Sequence, residues 1–305
     1  PFETQATLQG SQIAPLLAMV GGTTALTDAA GTVSASAAVT GRLDRLFASS
    51  GVLTVSELEG QLRSKPLTLL RPGRIRFDGR QLQVEEPLRM TLGGFSIGLA
   101  PPDADPDDDV HALIEGRIEE ALTFLPPGRL VPWRVEGPVQ ARVSIRHDAD
   151  RLTIAGDANA VLEGVTREGQ ELARGVRIRA HVGDGAIEIS EAAGTVLGGP
   201  FSGTGRVPVS WVVPSGVERM LAGRTPGPVE AVVSGRAEMA LTRALPGAAD
   251  HATGTAKVAI EGRASAPRLQ DVDATIDVEA SALAIDEMRL VQQAPARLRL
   301  TRGRL

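Results

Sequence analysis

Leu82-Gln83-Val84-Glu85-Glu86-Pro87-Leu88-Arg89-Met90-Thr91-Leu92-Gly93-Gly94-Phe95-Ser96-Ile97-Gly98-Leu99 decides the fold. Leu82, Val84, Leu88, Met90 and Leu92 share one parity. Gln83, Glu85, Arg89 and Thr91 take the other. Phe95, Ile97 and Leu99 resume the alternation after the two glycines. Successive side chains of a strand point to opposite faces, so such a run has one apolar face and one wet face. The same period of two returns in Val139-Gln140-Ala141-Arg142-Val143-Ser144-Ile145 and in Thr275-Ile276-Asp277-Val278-Glu279.

The pattern also repeats on a larger scale. Gly73-Arg74-Ile75-Arg76-Phe77 returns as Gly175-Val176-Arg177-Ile178-Arg179 and as Ala296-Arg297-Leu298-Arg299-Leu300. Leu92-Gly93-Gly94 returns as Leu197-Gly198-Gly199, and Gly51–Leu82 aligns without a gap on Ala274–Leu305. A unit of about 100 residues that recurs builds a chain that elongates instead of closing around one core. The expected units are residues 1–112, 113–214 and a shortened 215–305, in one continuous domain. Pro1 opens directly in strand-like sequence, and Leu305 precedes the third Leu-Gly-Gly. Both ends therefore read as cut, and the chain as a segment of a longer protein.

Helical pattern is sparse. A helix-like stretch opens each unit: Ile13–Met19, Leu113–Leu125 and Val217–Leu221. The best is Asp109–Leu125, with Asp107, Asp108 and Asp109 as caps and Pro126-Pro127-Gly128 as its stop. Gly-Arg at 41–42, 79–80, 205–206, 235–236 and 262–263, and Asp-Gly at 78–79 and 184–185, read as turns. Loops are expected over Pro101–Asp109, Arg129–Pro138 and Thr242–Gly254. The fold class is mainly β: an elongated, curved, trough-like sheet with a few short helices.

Composition narrows the chemistry. The formal charge is −5 from 32 basic and 37 acidic residues, and the arginines are scattered singly. Aromatics are 3% with no Tyr, so the basic stripe with stacking rings that nucleic acid needs is missing. With no Cys there are no disulfides, thiolate metal sites or Cys nucleophiles. No apolar run reaches the 18 residues of a spanning helix.

Motifs for catalysis are equally sparse. The run Asp103-Ala104-Asp105-Pro106-Asp107-Asp108-Asp109 has calcium-loop spacing, but lacks the glycine at loop position six and the glutamate at twelve. It reads as a solvated linker. His111, His147, His181 and His251 stand far apart, without the convergence that metal ligands require. There is no Gly-x-Ser-x-Gly and no phosphate loop, since neither Lys65 nor Lys257 follows a glycine. Gly203-Thr204-Gly205 opens no helix and reads as a strand bend. Paired carboxylates such as Glu85-Glu86 and Glu119-Glu120 have no inward geometry. The chain is not expected to be an enzyme, and no metal, cofactor or nucleotide is implied.

The apolar stripe carries the remaining information. It is aliphatic and small, with 6 Phe and 2 Trp in the whole chain, and few helices exist to cover it. A dry sandwich or solenoid core and an unfilled trough fit the periodicity equally well. An outer-membrane barrel fits poorly, because Trp133 and Trp211 cannot make two aromatic girdles.

Several stretches resemble the TamB family and, more broadly, the AsmA-like bridge-type lipid transfer proteins of diderm bacteria. They are Gly31–Gly41, Gly73–Gly79, Leu82–Leu99, Gly194–Val207 and Gly254–Leu269. The resemblance covers most of the chain in style more than in invariant residues. It implies a periplasmic sheet with an apolar interior that moves phospholipid between inner and outer membrane. It also implies an inner-membrane anchor outside this chain and an outer-membrane partner of the Omp85 class.

On that reading the trough is lined by Leu82, Val84, Leu88, Met90, Leu92, Phe95, Ile97, Leu99, Val143, Ile145, Ile178, Ile187, Ile189, Ile276, Val278, Leu298 and Leu300. Acyl chains would lie against these residues, gaining about 0.8 kcal/mol per buried methylene. The alternative is a structural or assembly module, either a dry stalk or a platform whose edges pair with outer-membrane strands.

Overall fold

Alternating sequence needs a neighbour on each side to satisfy its backbone, and here each row of one or two strands finds it in the adjoining rows along the chain. The computed structural model describes residues 2–14, 29–42, 45–62, 64–77, 82–100, 110–123, 133–148, 151–211, 230–240, 242, 252–266, 268–285 and 288–302. Its strands join one large, open, antiparallel sheet.

The sheet is a meander. β1 (Phe2–Gln12) pairs with β2 (Ala29–Arg42), and β2 with β3 (Arg45–Leu62). β4 (Lys65–Arg71) and β5 (Gly73–Phe77) share the next row, both against β3. β6 (Leu82–Glu86) and β7 (Leu88–Leu92) form the row after, broken at Pro87, which has no N–H for the ladder. β8 (Phe95–Ala100) and β9 (Val110–Arg117) follow. β10 (Trp133–Glu136) and β11 (Pro138–Asp148) then face β13 (Gly164–Arg167) and β12 (Arg151–Leu162). β14 (Gln170–Gly183), β15 (Ala186–Val196), β16 (Gly199–Pro208), β17 (Ala231–Ala240), β18 (Ala252–Ala264) and β19 (Val272–Ile285) continue one by one. β20 (Met288–Leu290) and β21 (Ala296–Leu300) share the last row, against β19.

The ungapped repeat is real in register. β3 pairs Gly51 with Phe77, Leu53 with Ile75 and Leu62 with Lys65. β19 pairs Ala274 with Leu300, Ile276 with Leu298 and Ile285 with Met288. Each pair is the earlier one carried forward by 223 positions, the distance from Gly51 to Ala274. The Leu-Gly-Gly repeat makes hairpin turns in both places, with a one-residue offset. Gly93-Gly94 is the turn after β7, and Leu197-Gly198 the turn after β15. Asp184-Gly185 is a hairpin turn with φ of 48° and 74°, as its sequence predicts.

Other readings are corrected. Gly-Arg at 205–206, 235–236 and 262–263 lies inside β16, β17 and β18, and 41–42 ends β2. Close neighbours and not turns fit glycine at two of these positions: a Cβ on Gly205 would meet the Val232 carbonyl at 3.0 Å and one on Gly235 the Phe201 ring at 3.3 Å. Other strand glycines lie closer still to rings. A Cβ on Gly203 would meet the Phe201 ring at 3.0 Å, one on Gly51 the Phe77 ring at 2.7 Å, and one on Gly116 the Phe95 ring at 2.4 Å. Aromatic rings laid over strand glycines stabilise a bare stretch of sheet. The bend expected at Gly203–Gly205 appears in its partner strand, as a bulge in β15 between Ile189 and Ala192.

The helix expected over Asp109–Leu125 is mostly β9; only α1 (Ile118–Leu122) is helical. Val110, Ala112 and Ile114 also satisfy a period of two, and ladders from β8 and β11 on both sides override helix propensity. Of Ile13–Met19, Ile13 and Ala14 are helical and the rest lies outside the described residues, as do Val217–Leu221, Asp107–Asp109 and Pro126–Gly128. Turn expectations at 78–80 and the loop 101–109 also lie outside. The expected loop Arg129–Pro138 instead holds β10 and the start of β11, and 252–254 opens β18.

α1 is tied to the break between β10 and β11. The Ile118 N–H donates to the Gly137 carbonyl at 2.7 Å, and the Gly137 N–H to Glu119 Oε2 at 3.0 Å. Gly137 has φ +144°, and a Cβ there would meet the Val161 carbonyl at 1.9 Å. Arg117 bridges Glu119 and Glu163. Partial desolvation pushes the Glu119 carboxyl up, but the Arg117 guanidinium and backbone N–H groups outweigh it and hold the net value below the usual range.

Among the described residues no second layer covers most of this sheet. The chain exposes 19087 Å². A compact globule of its mass, 31.8 kDa, would expose about 12,000 Å².

Candidate functional site: the continuous apolar face

Register propagates the apolar parity from strand to strand. In antiparallel pairs, residues directly opposite each other share a face. Leu88 faces Leu99, Met90 faces Ile97, and Leu92 faces Phe95. Ile97 faces Ile114 and Leu99 faces Ala112, while Ala112 in turn faces Val143 and Val110 faces Ile145. Val143 leads to Gly156, then Val182, then Ile187. Ala160 leads to Ile178, and Ala180 to Ile189. Ile189 faces Gly205, and Gly205 faces Val233. Ile260 faces Ile276, Val258 faces Val278, Ile276 faces Leu298, and Ala274 faces Leu300. On the other flank Val84 faces Ile75 and Leu82 pairs with Phe77. Every lining position named from sequence therefore falls in a row of the same parity. The bulges in β14 and β15 each insert one residue, which keeps the apolar set on its side.

Burial varies along the face. Val84, Leu88, Phe95, Val110 and Ala112 are buried, with Leu88 only 3% exposed. Met90, Leu92, Ile97, Leu99, Val143, Ile178, Ile187, Ile189, Ile276, Val278 and Leu300 are half-buried. Towards β21 the face opens: Val233 is 45% exposed, Ile260 39% and Leu298 46%. A dry core would hide such side chains. Here close to half of each side chain stays open to solvent.

The opposite face is charged and paired in strand-to-strand ladders. Arg179 reaches Glu191 at 3.3 Å, Arg206 reaches Glu188 at 3.5 Å, and His181 Nδ1 lies 3.0 Å from Asp157. Glu85 sits between Arg74 and Arg76 at 2.8 and 2.5 Å. Arg297 grips both oxygens of Asp277 at 2.6 and 3.0 Å, and its donated hydrogen bonds hold that carboxyl below its usual range. Such exposed pairs contribute little stability each; they keep this face wet.

A cleft of about 810 Å³ belongs to the charged face. It is lined by the rows Ser202–Arg236–Ala259–Asp277–Arg297 and Glu238–Lys257–Glu279, on either side of Phe201–Ala237–Val258–Val278. The apolar-face neighbours Gly203, Gly235, Ile260 and Ile276 are not in it. Among the described residues no cluster of His, Asp or Glu could hold a metal ion, and no helix is long and apolar enough to cross a membrane. The expected acidic run 103–109 and His251 lie outside the described residues.

Sequence reasoning named the aliphatic rows but missed three groups of face residues. One is Phe77 and Phe201 with the glycines beneath them. Another is the alanines Ala112, Ala158, Ala160, Ala180 and Ala192, which carry the face between the larger side chains. The third is Val233 and Ile260, whose exposure the strand alternation alone does not reveal. Compared with models of protein families, with curated proteins and with solved structures, the chain matches none.

Proposed function

We propose that the apolar face is a path for the acyl chains of phospholipids, and that the chain is a segment of a bridge that carries them between two membranes. The observation that supports this reading is the apolar parity carried from β5 to β21 together with its exposed stretch at Val233, Ile260 and Leu298. An acyl chain asks for no hydrogen bond, and each methylene taken from water contributes about 0.8 kcal/mol. Aliphatic walls without fixed polar groups hold such a ligand without selecting one position along the row, which suits movement. Headgroups would remain in water at the margins of the face. The resemblance noted above implies a periplasmic setting, with membrane contact made elsewhere and an Omp85-class protein as receiver.

The test is lipid content. Protein purified without detergent is extracted with organic solvent, and the extract is read by mass spectrometry. Phospholipid in near-stoichiometric amount is the expected result. An extract free of lipid would favour the structural reading, a stalk or assembly platform.

A further inference from the structure

We propose that the charged face carries, across β4, β7, β8 and β9, a binding site for a phosphate monoester: Arg71 and Arg89 hold the phosphate, and Leu113 takes the apolar end of the esterified alcohol. The register puts Arg71, Arg89, Gly98 and Leu113 in one row across these four strands, on the face opposite the aliphatic path. The site therefore stands independently of the acyl-chain reading.

The row begins with two like charges. Arg71 and Arg89 are directly opposed, an arrangement that is unfavourable in a sheet. Arg179, Arg206 and Arg297 on the same face each answer a carboxylate on the next strand. Among the described residues Arg71 has no hydrogen-bond or ion-pair partner, and Arg89 has a hydroxyl but no carboxylate. The Arg89 Nε–H donates to Ser96 Oγ at 3.1 Å, which sets the direction of the guanidinium and leaves its terminal amino groups for a ligand. Glu115 is close by, but its carboxylate accepts from Gln140 Nε2 at 2.8 Å.

Beside the pair the face is hollow. A cavity of about 370 Å³ has Arg71, Arg89, Ser96, Gly98, Leu113 and Glu115 among its walls. Gly98 contributes no side chain to the row, and a Cβ there would meet nothing within 4 Å. Leu113, next in the row, is 41% exposed although it stands on the charged side.

These groups select the ligand. Each guanidinium is a planar fork of donors that matches an oxyanion. Two of them, opposed and unanswered, call for two negative charges. A phosphate monoester brings about −1.5 to −2 at pH 7 and three acceptor oxygens, whereas a carboxylate or a phosphodiester brings one charge. The vacancy at Gly98 leaves room for the ester group, and Leu113 beyond it offers an apolar contact.

The test uses monobutyl phosphate, inorganic phosphate and chloride, titrated into the protein at constant ionic strength. The amide resonances of Gly98 and Leu113 are followed. Monobutyl phosphate should give saturable shifts and bind several-fold tighter than inorganic phosphate. Arg71→Gln and Arg89→Gln should each weaken binding at least fivefold, and Gly98→Leu, which fills the vacancy, should abolish it. Arg71→Gln also relieves the opposed charges and should melt no lower than the unaltered protein. Arg236→Gln, at another arginine of this face, should leave binding unchanged. Equal shifts with chloride, or unchanged binding in the Arg71 and Arg89 variants, overturn the proposal by reducing the pair to diffuse positive charge. Equal affinity for the two phosphates overturns the choice of a monoester. The acidic run Asp103–Asp109 follows in sequence on Ala100, another residue of the cavity wall, so a further variant has its five aspartates changed to asparagine. Binding that appears only in that variant also overturns the proposal, because the chain then supplies its own counter-charge.

Discussion

Leu298 on β21 stands directly opposite Ile276 on β19, as Ile75 stands opposite Leu53 on β3, yet nearly half of Leu298 is open to solvent. One pairing geometry thus occurs twice, once covered and once bare. Ile75 is flanked on its other side by Val84 of β6, whereas Leu298 has Ile276 as its paired neighbour among the described residues. The contrast shows where substitutions should affect stability and where they should affect binding alone.

Charge placed in the face should act differently at its two ends. Leu88→Asp buries a carboxylate with no partner, and should cost about 3 kcal/mol or more and lower the melting temperature strongly. Ile260→Asp at an exposed position should cost less than about 1 kcal/mol, yet deplete bound lipid. Thermal melting and lipid content measured on the same preparations check both. Equal destabilisation by the two changes would mean that the open end is covered after all.

The rings over glycine make a second test. Gly116→Ala would set a methyl 2.4 Å from a carbon of the Phe95 ring, which is itself buried between strands. The ring must move, and overpacking of this kind costs about 1–3 kcal/mol. Gly98→Ala meets nothing within 4 Å and should be nearly silent in the same melt. If both variants melt alike, the ring is not held where it lies.

Asp277 and Arg297 give a pH dependence. Arg297 lowers the folded-state pKa of the carboxyl, so the pair stabilises β21 fully at pH above the ordinary, unfolded carboxylate value. The contribution fades as pH falls below that value and through the lowered one. Amide exchange in Ala296–Leu300 should therefore quicken at acid pH more than exchange in Gly73–Phe77. Asp277→Asn should remove the difference. A flat profile in the native protein would show that the pair does not hold this strand.

An open single-layer meander should scatter as an extended particle. A compact globule of 305 residues has a radius of gyration of about 19 Å. A clearly larger value at low concentration is expected. A value near 19 Å would contradict the single-layer sheet.

The faces were legible in the sequence because period two is a local property. Leu88, Met90 and Leu92 announce their side without knowledge of any partner, and the repeat from Gly51 to Ala274 even carries its register. What stayed hidden depends on neighbours. Gly205-Arg206 and Gly235-Arg236 look like turns until Phe201 and the adjoining strand are seen beside their glycines. Val110–Arg117 suits helix and strand about equally by spacing, and only the ladders of β8 and β11 decide it. Exposure at Val233, Ile260 and Leu298 is likewise set by what the described residues leave uncovered, which no window of residues reports.

The central claim is that acyl chains lie on this face, and photocrosslinking tests it most directly. A phospholipid with a diazirine at mid-chain is incorporated during expression or exchange, activated by light, and the labelled peptides are mapped. The account predicts adducts on Val233, Ile260, Ile276 and Leu298, with few on their charged-face neighbours Arg236, Glu261 and Arg299. Adducts confined to the charged face, or none above the level on an unrelated protein, would contradict it.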